Sequence, residues 1–194
     1  MKSTVVNHIQ RLCVWVGMAL FAYTGGTAAY AEMYQRYQAR QFERKMTVPK
    51  VTAAVAVAEA AELHEGDTVG KLEIPRIGIS VMVLQGMEPD TLKLGAGHVP
   101  GTPLPGADGN VAIAAHRDTF FRKLEGILSG DRVQFTTQRG TFEYIVGSTE
   151  IVDPEDTQPM ESRDQRELTL ITCYPFFFVG AAPRRFIVHA EPRK

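Results

Sequence analysis

Residues Leu168–Phe176 read LTLITCYPF, and residues Asn110–Leu124 read NVAIAAHRDTFFRKL. In the first stretch Leu168, Leu170 and Thr172 alternate with Thr169 and Ile171, the period of a strand with two different faces. Pro175 cannot donate to a sheet ladder, so this strand ends just past Cys173. In the second stretch Val111 and Ile113 alternate with Ala112 and Ala114, and His116 stands at the strand's end. Each stretch sets a reactive side chain where a rigid strand gives way to a loop, and such places present groups to a substrate. His116 and Cys173 lie 57 positions apart, so they meet only if their strands are brought together.

The surrounding sequence has the same texture from Gly66 onward. Val69–Ile74, Ile79–Gln85, Asn110–Ala115, Arg132–Thr137, Thr141–Ile151, Leu168–Thr172 and Arg185–Ala190 are predicted strands, punctuated by Gly86, Gly101, Gly109, Gly130 and Gly140. Thr119–Leu128 (TFFRKLEGIL) is predicted as a helix, capped by Thr119, with Phe120, Leu124 and Leu128 on one face. Asp90–Leu94 offers a further helical turn. Many short strands and one or two short helices give a mainly β fold, a small β-barrel with a single core.

Ahead of it, Lys2 and Arg11 precede an uncharged stretch, Leu12–Ala31. Its twenty residues reach about 30 Å as a helix, the thickness of a bilayer's hydrocarbon core. Basic residues before the span keep that end in the cytoplasm and send the rest of the chain outside. A cleavable signal peptide is the rival, because Ala29-Tyr30-Ala31 has the small-x-small form of a cleavage site. Glu32–Met46 is rich in helix formers and free of Gly and Pro, and Thr47–Glu65 reads as a flexible stalk. The expected organisation is a cytoplasmic terminus over 1–11, a transmembrane signal-anchor over 12–31, a juxtamembrane helix and stalk over 32–66, and a catalytic barrel over 67–194.

With 21 basic and 22 acidic residues the chain has no bulk field to hold nucleic acid. Two cysteines do not make a disulfide scaffold, and Cys13, in the apolar segment, is not expected to pair with Cys173. A lone thiol is commonly a small buried hydrophobe. It becomes a nucleophile beside a cationic His or Arg, which lowers its pKa. An imidazole can also hand a proton to a leaving amine, and a fixed donor can hold the oxyanion of a tetrahedral intermediate. Arg184 and Arg185 open the last strand, RRFIVHA, and point to opposite faces; periodicity alone does not choose between them. A zinc site from Cys173, His116, His98 and His189 lacks any closely spaced ligand pair, so no metal or cofactor is expected.

TLITC at Thr169–Cys173 resembles the signature around the sortase nucleophile. The upstream histidine and the arginine on the following strand complete the sortase triad in the family's chain order. HRDTFFR at His116–Arg122 and CYPFFFVGAAPRRFIV at Cys173–Val188 are most similar to the class D branch. The resemblance implies a closed eight-stranded β-barrel and a cysteine transpeptidase in the cytoplasmic membrane. It also implies partners: exported proteins ending in an LPxTG-like sorting signal, and an amine acceptor on a cell-wall precursor or another protein. Carried over by position, Cys173 is nucleophile, His116 general acid/base and Arg185 the family arginine, because RFIV fits its pattern. Thr172, next to the nucleophile, is expected to bind substrate near the oxyanion. Ala115 stands where many sortases have Gly before the histidine. An L,D-transpeptidase is the rival enzyme, but its SxGC-like context does not match TLITC; the non-enzyme alternative is a displayed β-barrel with an inert Cys173.

Overall fold

Alternation along seven predicted strands builds one core. In the computed structural model, which describes residues 2–46, 63–161 and 165–193, the strands are β1 (Thr68–Ile74), β2 (Ile79–Gln85), β3 (Ala96–His98), β4 (Asn110–Ala114), β5 (Arg132–Thr137), β6 (Gly140–Val152), β7 (Glu167–Tyr174) and β8 (Arg184–Pro192). They close into a barrel in the order β1-β2-β3-β4-β7-β8-β6-β5, which leaves no free sheet edge. The β2–β3 and β4–β7 pairs are parallel and the others antiparallel. Leu72, Val81, Val83, Ile113, Phe135, Leu168, Leu170 and Val188 fill the interior.

Strand β3 has no counterpart in the sequence reading. Its three residues, Ala-Gly-His, are too few to show a period. It depends instead on close backbone approach: a Cβ at Gly97 would collide with the carbonyl oxygen of Gly86 and with Leu92.

The helix expected over Thr119–Leu128 does not form. A turn leads into a 3₁₀ segment, Arg122–Gly126, without a side-chain cap. The buried residues here are Phe121, Leu124 and Ile127, three apart, while Leu128 is exposed. Their spacing matches the three-residue turn of a 3₁₀ helix, closed by Leu124 N–H to Phe121 O at 3.0 Å and Ile127 N–H to Leu124 O at 3.0 Å. The short helix α2 (Pro89–Leu94) extends the turn expected at Asp90–Leu94 by one residue.

Below this segment Arg76 ties two loops together. Its guanidinium pairs with the buried Asp131 through Nε, and through Nη2 at 2.5 Å, and donates to Gly126 O at 2.6 Å. The hydrogen bond from Arg76 holds the Asp131 carboxyl below its ordinary pKa, and the Leu128 N–H bond adds to that effect.

Helix α1 (Lys2–Met46) contains one stretch, Gln10–Arg44, long and apolar enough to cross a membrane. Beyond Ala31 it rests on the barrel. The covered positions are Tyr34, Gln35, Gln38, Ala39, Gln41 and Phe42, recurring every three or four residues along one face. Gln35 accepts from Met82 N–H at 2.7 Å and donates to Leu94 O. Met82 and Leu84, which alternate with the inward Val81 and Val83, are buried on the outside of β2. Residues 47–62 of the expected stalk lie outside the described residues.

Candidate active site

Strands β4 and β7 run parallel with a constant offset of 57 positions, from Asn110↔Glu167 to Ala114↔Ile171. That is also the offset between His116 and Cys173. The pairing persists past the end of β4, since Ala115 N–H donates to Ile171 O at 3.1 Å. The next backbone position on each side carries His116 and Thr172–Cys173, so both groups emerge at the same end of the barrel. His116 O in turn accepts from Phe121 N–H at 3.1 Å, fixing the turn that follows.

Across β7 the partner strand places the two arginines differently relative to Cys173. Cys173 pairs directly with Arg185, and Tyr174 with Arg184, in a register without shifts from Leu168↔Ala190 onward. Directly opposed residues of an antiparallel pair point to the same face. Arg185 therefore shares a face with Cys173, while Arg184 points away and lies 3.9 Å from Asp153 among exposed side chains. Cys173 is half-buried; Cys13 is exposed; both are free thiols.

Thr172, expected to bind substrate, stands next to Cys173 on β7. It is buried, and its hydroxyl donates to Ala115 O at 2.8 Å. Its only proton is thus spent in clamping the end of β4 against β7, one residue before His116 and Cys173 on each strand. His98 lies on β3. It is buried, with Nδ1 2.8 Å from Gln85 Oε1 and Nε2 3.0 Å from Pro103 O, and burial lowers its pKa. Its ring is thus satisfied within the fold. Among the described residues no group of three or more His, Cys, Asp or Glu could hold a metal ion.

Two further sets of residues hold the connections before and after β7, and strand period alone pointed to neither. Asn110 donates to Pro159 O at 2.9 Å and accepts from the Thr169 hydroxyl at 2.8 Å, anchoring the β6–β7 connection on β4 and β7. Phe176 anchors the base of the β7–β8 loop, edge-on to Tyr174 at 6.0 Å and to Phe186 at 5.2 Å. The tip of that loop is apolar and open: Phe177, Phe178 and Val179 are all exposed. Arg117, directly after His116, donates through Nη2 to Phe178 O at 2.8 Å and Gly180 O at 3.0 Å.

The arrangement is a thiol, an imidazole and a guanidinium at one mouth of a closed eight-stranded barrel. Residues 72–193 match the sortase domain family. Sortase D of Bacillus subtilis (strain 168) is 36% identical over 127 residues, 65% of this chain and 64% of that protein. Sortase A of Bacillus anthracis is 27% identical over 186 residues, 84% of this chain and 88% of that one. Among solved structures, a Clostridium perfringens sortase D5 transpeptidase superposes with a TM-score of 0.72 at 24% identity, covering 86% of this chain and 99% of that one, so its likeness bears on the fold. The matched stretch holds Cys173, His116 and Arg185 along with strands β2 to β8 and the end of β1, and on that footing the chain belongs to the sortase family.

Proposed function

We propose that this protein is a membrane-tethered cysteine transpeptidase that cuts an LPxTG-like C-terminal sorting signal and passes the acyl group to an amine acceptor outside the cytoplasmic membrane. The observation that carries the reading is the register: Cys173 opposite Arg185, with the His116 strand alongside at the matching offset. The Cys173 thiolate attacks the threonine carbonyl carbon, in the peptide bond that follows the threonine of the signal. Arg185 donates to the carbonyl oxygen as negative charge develops there. The C–N bond breaks, His116 gives its proton to the departing amine, and a thioester remains on Cys173. An acceptor amine then attacks the thioester, loses its proton to His116 and displaces the thiolate, which restores the enzyme.

The uncharged run Leu12–Ala31 of α1 supports a single-pass anchor with the barrel outside, since Lys2 and Arg11 precede it. The division of the chain into a terminus over 1–11, anchor over 12–31, juxtamembrane helix and stalk over 32–66 and catalytic barrel over 67–194 belongs to the same proposal. Protease added to intact spheroplasts should reach the barrel; full protection until lysis contradicts this topology.

The decisive experiment is intact-mass analysis of the protein after incubation with an LPxTG-like peptide. Wild type should gain the acyl mass on Cys173, and Cys173→Ala should gain nothing while keeping its fold. Cleavage by Cys173→Ala at a near-wild-type rate would sink the proposal. His116→Ala should lose kcat with little change in KM, because the proton is needed in the transition state and not for binding.

A further inference from the structure

We propose that Arg117 is a positioning residue, a latch that holds the His116 turn and the β7–β8 loop in one arrangement over Cys173. The inference rests on the transpeptidase reading above. That loop, residues 175–183, starts two positions after Cys173 and ends two before Arg185, so its conformation bears on both. Its base is held by aromatic packing, but its tip is not held by burial. Phe177 is 67% exposed and Val179 is 99% exposed, so hydrophobic packing supplies little order there. What the tip has instead is the Arg117 guanidinium. Arg117 Nη2 reaches two loop carbonyls, Phe178 O at 2.8 Å and Gly180 O at 3.0 Å, while the guanidinium carbon stands 5.8 Å from the centroid of the Phe178 ring. A second cation from the same turn, Arg122, stands 5.2 Å from the Phe177 ring.

The other end of the latch is the backbone of residue 117, bonded directly to His116. Arg117 therefore links the turn that orients the imidazole to the loop between Cys173 and Arg185, across 61 and 63 positions of sequence. Its geometry is suited to that task. A planar guanidinium presents donors in a fixed fork, so two carbonyls are held at a set separation; an ammonium would hold them as a point charge. The placement also carries a cost. Among the described residues Arg117 Nη1 is a buried donor with no partner. Native proteins leave few such donors, and each one calls for a reason. Here the reason is that Nη2 is aimed at the loop.

The test uses the full-length protein in detergent and two readouts. One is kcat and KM with the LPxTG-like peptide. The other is the pH dependence of Cys173 alkylation by iodoacetamide, which reports thiol–imidazole coupling. Arg117→Ala should keep KM within about threefold and lose kcat by about 10- to 100-fold, the range expected when reacting groups are misplaced by up to an ångström. Its alkylation profile should shift. Arg117→Lys keeps the charge and reaches one carbonyl, so it should recover part of both. A wild-type kcat and profile in Arg117→Ala overturns the latch. So does a kcat loss matching the unfolded fraction with an unmoved profile, or a rise in KM alone. If Arg117→Ala does not fold, Arg117→Lys decides: reduced kcat with a shifted profile supports the latch, and wild-type values refute it. Alkylation needs no peptide. A wild type silent toward the peptide would therefore count against the substrate reading, while the profiles still decide on Arg117.

Discussion

The two adjacent arginines of β8 make the sharpest test of the site. Arg185 faces Cys173 across the ladder, and among the described residues its guanidinium bonds within the protein only to its own neighbour, Nη1 to Arg184 O at 3.2 Å. Truncating it removes little that holds the fold. If it stabilises the oxyanion, Arg185→Ala should lose about 100- to 1000-fold in kcat, or about 2.7–4 kcal/mol of transition-state stabilisation. Arg185→Lys should fall nearly as far, since an ammonium does not reproduce the planar fork. Arg184 is the internal control. Its ion pair with Asp153 spans 3.9 Å between side chains 58% and 76% exposed, so it contributes less than about 1 kcal/mol. Even if all of that were lost in the transition state, kcat would change by no more than about fivefold. The assay is steady-state cleavage of an LPxTG-like peptide by the two purified alanine variants, with thermal unfolding to verify that each is folded. An inactive Arg184→Ala beside an active Arg185→Ala would refute the inference from register to side-chain direction. The family assignment would survive that result.

Other outcomes follow from the packing. Thr172→Val removes the hydroxyl that closes β4 onto β7 and leaves Ala115 O without that donor, so unfolding in urea should show a loss of about 1–3 kcal/mol; an unchanged midpoint and slope would show that the clamp contributes nothing. The Asp131 carboxyl has a lowered pKa in the fold, so its contribution is fully present above the unfolded-state value of about 3.9 and is lost as pH falls through the lower folded value. Arg76→Ala should accordingly flatten the dependence of thermal stability on pH below about 4, and an unaltered acid slope would contradict the assignment. Phe42→Ala should cost about 1.5–3 kcal/mol if α1 stays docked on the barrel, with the loss capped by the docking free energy itself. A protein beginning at residue 63 that is as stable as one beginning at residue 32 would show that the docked helix does not support the barrel.

Strand period determined much of this molecule. Where apolar and polar residues alternate, as in Leu168–Thr172 or Arg132–Thr137, two faces are specified locally and the strand follows. The same period, stopped by Pro175 and by the turn after His116, put Cys173 and His116 at strand ends before any pairing was known. The apolar run Leu12–Ala31, which lies inside the Gln10–Arg44 stretch of α1, was legible for the same kind of reason, because a length of apolar chain needs no partner to declare itself. The remainder depended on pairing. Phe120, Leu124 and Leu128, four apart, looked like one face of an α-helix, and only the core chose the tighter 3₁₀ turn that buries Phe121, Leu124 and Ile127 instead. The docked face of α1 is rich in glutamine and carries little hydropathy signal; it is defined by where Met82 N–H and Leu94 O stand on the barrel. Which of Arg184 and Arg185 lies on the Cys173 side of β8 is of this kind too. A strand's own sequence says that neighbours point in opposite directions, but which direction faces the thiol is fixed by the register of β8 on β7, a relation between two strands that neither one contains.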